Sequence, residues 1–439
     1  MKAALRVPGE GTLSEQELVR LAQDVLPGGV LGKFWFPPGD GFIPASAEGA
    51  YMTSIAGDRY LDMSCGGGTL VLGHRHPAQM AAVKAQLSNG HHYFSVVTEQ
   101  AIRLAAMIRN AVPCAELVRF AATGSEATYY ALRLARAHTG RDKVLKFEGA
   151  YHGNHDIGVI SLSPTSDAPF PSPQPNSAGI PQGIIESTLV APFNDLEQTQ
   201  GIIEQEHRRI AAIIVEPMQR YIPPEPGFLE GLRELTDRYG ICLVFDELVT
   251  GFRLALGGAQ EFWGVEPDLA CFGKALGGGF PIAAVAGRRE IMALCDPTEG
   301  VSDRYVYQSG TLNAQALVAA SAMSVLETLS SPGSFDTLHA LGAQMRDGLD
   351  EICARRGVRA KAYGVGPAWF LAFTDHPIVD HRSSRAADVE KLKAFHRELL
   401  KRGVFVIPGN KAYLSLAHTA ADIDMALEGA EEALTQTRN

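Results

Sequence analysis

Residues 268–281 read DLACFGKALGGGFP, and a single lysine stands there between an apolar run and three consecutive glycines. Leu269 to Phe272 have the composition of a buried strand, and Lys274 falls just past its end. Gly273 and Gly277 to Gly279 make the surrounding backbone as permissive as a chain allows. A solvated surface lysine needs none of that.

Outward from this stretch, helical and strand patterns alternate from about residue 77. Helical periodicity marks 77–88, 98–111, 125–139, 196–208 and 227–239. Short apolar strands are LVRFAA (117–122), KVLKFEG (143–149), AAIIVEP (211–217), ICLVFDE (241–247) and LACFG (269–273). Strands separated by helices of that length predict an α/β layer with a largely parallel sheet, buried on both faces.

Ahead of this layer, residues 14–26 predict an amphipathic helix, with Ser14 and Glu17 in a capping-box relation. A Pro/Gly-rich passage from Pro27 to Pro44 leads into a hairpin pattern around Ala56-Gly57-Asp58. Beyond about residue 335, helices at 337–355, 386–402 and 420–436 mix with strands near 359–374 and 404–416, and 375–386 reads as an exposed loop. The expected organisation is an N-terminal segment (1–76), a large α/β domain (77–334) and a small α+β domain (335–439). The N-terminal segment joins the last of these at the small domain.

The chain has 439 residues, 46% of them hydrophobic and 20% charged, which is ordinary for a globular protein of more than one domain. A formal charge of −10 argues against nucleic-acid or anionic-membrane partners. No run approaches the roughly 20 apolar residues that cross a bilayer. MKAALRVPGEGTLSEQELVR lacks the unbroken apolar core of a signal peptide. The six cysteines are scattered without paired spacing and read as reduced core residues, so a cytoplasmic location is expected. The close histidines (His74 and His76, His91 and His92, His152 and His155) lack metal-site spacing, and no metal is expected.

Ligands of open α/β sheets gather at the carboxyl ends of the strands, and three groups stand there. Thr123-Gly124-Ser125 opens a helix whose first amides lack internal partners, which suits a phosphate; simple N-capping is the other reading. Asp246 ends a buried strand and needs a partner, either Arg253 in a structural ion pair or a protonated ring nitrogen. Lys274 ends the next strand. An anion socket, a buried carboxylate and a buried lysine on one rim are what pyridoxal 5′-phosphate (PLP) requires for its phosphate, ring nitrogen and aldehyde. Desolvation and a nearby cationic ring would keep such a lysine neutral.

The same stretches resemble the class III aminotransferases of PLP fold type I, nearest the glutamate-1-semialdehyde aminomutase branch. The matching motifs are GHRHP (73–77), TGSEA (123–127), FEGAYHG (147–153), EPMQ (216–219), PPEPGFLEGLRELTDRYGICLVFDELVTGFR (223–253), FGKALGGGFP (272–281), SGTLNAQALVAA (309–320) and SLAHTAADID (415–424). The resemblance implies that Lys274 is the Schiff-base lysine and Asp246 the ring-nitrogen partner. It implies Gly124 and Ser125, backed by Thr123, as the phosphate turn. Tyr151 would stack on the ring with His152 beside it, and Glu216 and Gln219 would line the phenolic oxygen. Thr311 would reach the phosphate of a neighbouring subunit, implying a homodimer with shared sites.

The resemblance also implies an arginine after PGGV that grips the substrate carboxylate, but LGKFWFPPGDGFIP (31–44) has none. Lys33, Phe34 and Trp35 stand near that place instead. The C-terminal arginine of some relatives likewise lacks a clear counterpart in GNKAYLSLAHT. The expectation is a transaminase that moves an amino group from an amine or amino acid with an apolar or aryl group to a keto acid or ketone. The alternatives are an isomerase, either an aminomutase or a racemase, and a catalytically dead PLP-binding relative.

Overall fold

The computed structural model describes residues 13–33, 36, 41–164, 166–299 and 303–436. Strands β1 (Pro44–Glu48), β2 (Tyr51–Ser54) and β3 (Arg59–Asp62) form an antiparallel meander. Next come β4 (Leu117–Ala121), β5 (Lys143–Phe147), β6 (Thr188–Ala191), β7 (Ile210–Val215), β8 (Cys242–Asp246), β9 (Leu269–Phe272) and β10 (Ala283–Gly287). They make one seven-stranded sheet in the order β4-β10-β9-β8-β7-β5-β6. The pairs from β9 to β6 are parallel, whereas β10 runs antiparallel to both of its neighbours.

Continuous apolar strands follow from cover on both faces. Ile213, Val215, Leu243 and Phe245 belong to a core that includes Val318, Ala322 and Val325 of the helix Ala316–Leu329. Their neighbours Ala212, Ile214, Cys242 and Val244 belong to a second core, with Ala127, Ala131 and Leu134 of the helix Gly124–Thr139. Each fully buried branched or aromatic side chain contributes about 1.5–3 kcal/mol.

β11 (Lys361–Tyr363), β12 (Ala368–Ala372) and β14 (Ala412–Tyr413) form a three-stranded sheet, while β13 (Val404–Phe405) pairs in parallel with β3. The C-terminal chain thus completes the sheet begun near the N terminus. The capping box at Ser14 and Glu17 is formed, and its helix runs Glu15–Val25. All six cysteines are buried free thiols. No helix among the described residues is long and apolar enough to cross a membrane.

Two expectations need correction. β6 and β10 are additional strands, each only four or five residues of small or apolar side chains, too short to show a period. Residues 375–386 are more than a loop. Asp380 caps a short helix, His381–Ser384, and Arg382 from that helix makes an ion pair with the buried Glu148 at 2.8 Å.

Candidate active site

Lys274 opens a 3₁₀ turn directly after β9, with a backbone φ of +43°. A left-handed conformation costs a β-carbon-bearing residue roughly 1–2 kcal/mol, and such strain gathers at functional sites. Among the described residues its Nζ has no hydrogen bond and no ion pair. Burial pulls the amine below the ordinary lysine value, and Arg220 and Arg253 push the same way, while Asp246 and Glu216 oppose them. The expected glycines turn out to serve packing. A β-carbon on Gly278 (φ +56°) would lie 2.2 Å from Gln79 Nε2, which donates to the Gly278 carbonyl at 2.9 Å.

Asp246 ends β8 beside β9, in register with Cys271, and is 3% exposed. Its Oδ2 lies 2.8 Å from Nδ1 of the fully buried His152, and its Oδ1 accepts the Leu248 amide at 3.2 Å. Among the described residues Nε2 of His152 has no partner. The ion pair with Arg253 does not form. That guanidinium donates to Val249 O at 2.7 Å and to the Gly68 carbonyl, and lies 4.9 Å from the centroid of the Tyr413 ring. The adjacent Glu247 is structural, accepting from Gln260 Nε2 at 3.0 Å and from Thr250 at 3.0 Å.

At the helix start, N-capping accounts for Thr123. Its Oγ1 accepts the Glu126 amide at 3.3 Å and donates to Glu126 Oε2 at 3.0 Å. Gly124 and Ser125 retain amides with no acceptor inside the helix. Ser125 Oγ accepts the Asn154 amide at 2.9 Å and lies within hydrogen-bonding reach of the Tyr151 hydroxyl. The turn therefore keeps two amides for an anion, with the Ser125 hydroxyl beside them. Thr311 lies on an exposed turn. Nearby Ser309 is tied to this same helix, since Tyr130 Oη donates to its carbonyl at 3.2 Å.

Glu216 and Gln219 follow β7 and are both buried. Glu216 Oε2 accepts the Tyr151 amide at 3.2 Å. Gln219 Nε2 donates to Glu148 O at 2.8 Å, while its Oε1 is unpaired. Tyr151 Oη donates to Asn154 Oδ1 at 2.7 Å, which fixes its ring beside the helix start. Lys33 is exposed; Phe34 and Trp35 lie outside the described residues. Among the described residues no group of three or more His, Cys, Asp or Glu side chains is placed to hold a metal.

Three basic residues were not singled out from the sequence. Lys146, wholly buried in β5, donates to the carbonyls of Ala150 (3.1 Å), Gly158 (3.2 Å) and Ile160, and burial pulls its amine down to about 7. It thereby braces the loop that carries Tyr151 and His152. Lys411, in the GNKAY stretch, is buried and donates to the Arg220 carbonyl at 2.6 Å. Arg220 stands over the Tyr151 ring, its guanidinium 5.8 Å from the centroid. A lysine inside an apolar strand was a readable signal for Lys146; nothing local marks the other two.

The family model described as aminotransferase class-III matches residues 39–434. The chain belongs to that family. It is 38% identical over 436 residues to the glutamate-1-semialdehyde 2,1-aminomutase of Roseiflexus castenholzii, covering 98% of each chain. Its fold is similar to that of an omega-transaminase from Sphaerobacter thermophilus (TM-score 0.91, 34% identity, 98% of this chain and 99% of that one). A β-phenylalanine aminotransferase from Variovorax paradoxus is also similar (TM-score 0.87, 30% identity, 96% and 94%). The fold is PLP fold type I and the cofactor is PLP. The residues present fit it: an unpartnered amine on Lys274, open amides at Gly124 and Ser125, and the unpaired Gln219 Oε1 on one rim.

Proposed function

We propose that this chain is a PLP-dependent aminotransferase working by a ping-pong cycle. A donor amine or amino acid leaves its nitrogen on the enzyme and departs as a carbonyl compound, and a keto acid or ketone then collects it. PLP supplies an aldehyde that takes up the amine nitrogen and a ring that accepts the electron pair of a broken Cα–H bond. Lys274 would hold the cofactor's aldehyde and, as a neutral amine, would move the proton at the substrate Cα. Asp246, backed by His152, holds a proton on the ring nitrogen. Gly124 and Ser125 would hold the phosphate, Tyr151 would cover the ring, and Glu216 and Gln219 would line its phenolic oxygen. The observation that carries this reading is the desolvated, unpartnered Lys274 amine beside the Asp246–His152 pair.

The test is a half-reaction followed by absorbance, with Lys274→Ala as control. A transaminase given amine alone stops after one turnover. Continued turnover without an acceptor would establish the isomerase reading, which the 38% identity to an aminomutase supports equally. The donor proposed here carries an apolar or aryl group, and faster turnover of glutamate semialdehyde than of phenylglycine would sink that preference. We further propose a cytoplasmic homodimer in which Thr311 reaches the partner's phosphate. Exposed Phe94, Val97, Tyr307 and Leu312 give such an interface apolar material. A monomeric mass in solution would refute it.

A further inference from the structure

Arg220 has no part in the roles above, yet it stands among the residues that carry them. It follows Gln219 with a backbone φ of +62°, a strained conformation for a residue with a β-carbon. Its carbonyl is pinned by Lys411 Nζ at 2.6 Å, and its guanidinium lies over Tyr151 at 5.8 Å from the centroid. Among the described residues that guanidinium has no hydrogen bond and no ion pair. Neither nearby carboxylate forms an ion pair with it among the described residues: Glu216 Oε2 accepts the Tyr151 amide at 3.2 Å, and Asp246 holds His152 at 2.8 Å. A cation partly removed from water without a counter-ion is costly until an anion arrives. The fork of a guanidinium matches the two oxygens of a carboxylate. The phosphate already has its socket at Gly124 and Ser125.

We propose that Arg220 is the carboxylate anchor of the substrate site, so that the donors are amino acids rather than simple amines. Lys411 is a positioning residue that acts through the Arg220 carbonyl. This deepens the aminotransferase reading and rests on it. The stretch 31–44 offers no arginine for the purpose, and Arg220 supplies one from the loop after β7.

The experiment compares donors that differ only by a carboxylate, 3-amino-3-phenylpropanoate against 1-phenylethylamine, on holoenzyme in single turnovers. The wild type is expected to prefer the acid by roughly 10- to 100-fold in kcat/KM. R220Q should bring that ratio close to one, mainly through KM, and R220K should keep part of it. The wild type should also be inhibited by 3-phenylpropanoate. Equal use of both donors by the wild type, no inhibition by the amine-free acid, or an unchanged ratio in R220Q would each overturn the anchor. Loss of PLP affinity in R220Q would overturn it too, by assigning Arg220 to the cofactor. Failure of the aminotransferase reading looks different: the wild type would then show no visible band with PLP that responds to either donor.

Discussion

His152 Nδ1 stands 2.8 Å from Asp246 Oδ2, and both side chains are shut away from water. A buried carboxylate is held in place by its hydrogen bonds, and hydrogen bonds to charged groups contribute about 1.5–3 kcal/mol each. H152L removes this one and leaves the carboxylate with the Leu248 amide alone. We expect at least a tenfold loss of PLP affinity and a half-reaction slowed with it, both restored in part by H152Q. D246N should be slower than H152L if Asp246 serves the ring nitrogen as proposed, because the ring then loses its anion altogether. An H152L variant with undiminished cofactor affinity would mean that Asp246 needs no such support.

Leu248 ties the same carboxylate to the other two groups of the rim. A β-carbon on Gly124 would lie 2.5 Å from Leu248 Cδ1, and one on Gly273 would lie 2.7 Å from Leu248 Cδ2. One leucine thus fixes the spacing between the start of the helix at Gly124, the end of β8 and the residue before Lys274. G124A and G273A should each destabilise the protein by about 1–3 kcal/mol through overpacking. L248A in the same chain should recover much of that cost. Denaturant titration of the two singles, L248A and the doubles gives the coupling. Strict additivity would show that the leucine is not what keeps these glycines small.

These two relationships mark how far the sequence could be read. Asp246 and Lys274 were legible because an apolar run that ends on a charge is a local pattern, and buried charges need a reason. Strands β7, β8 and β9 were legible for the same cause, since burial on both faces removes polar residues from all but their ends. Arg253 was one of two candidate partners for Asp246 because it is seven residues away, but chain separation says nothing of direction, and the guanidinium turns to Gly68 and Tyr413. Arg220 and Lys411 were hidden for a related reason. They are 191 residues apart, they meet through a backbone carbonyl, and no periodicity records such a contact.

Lys146 offers a test of the loop that carries Tyr151 and His152. Its ammonium gathers the carbonyls of Ala150 and Ile160, which have no other donor among the described residues, and that of Gly158, in a region closed to water. K146M has nearly the same length and no donor. The variant should lose about 2–4 kcal/mol, because carbonyls left unpaired in the interior keep their desolvation cost. PLP affinity should fall along with stability. A K146M protein as stable as the wild type in urea would mean that water can enter and satisfy those carbonyls.

A buried histidine near the C-terminal end should make the protein sensitive to acid. His396, 1% exposed, accepts the Gly409 amide on Nδ1 at 3.1 Å, and burial pulls its pKa down to about 3. An unfolded histidine titrates near 6.5. Between those values the unfolded chain binds the proton and the folded one does not, so stability rises with pH across that window. The contribution of His396 is therefore complete above about pH 6.5 and is lost as pH falls toward 3, by roughly 3–5 kcal/mol in all. H396N keeps a polar group at the position and removes the titration. It should flatten the slope of unfolding free energy between pH 6.5 and 4 while lowering stability at pH 7.5. An H396N slope as steep as that of the wild type would assign the acid sensitivity to another group, with His155, pulled down to about 4, the next to replace.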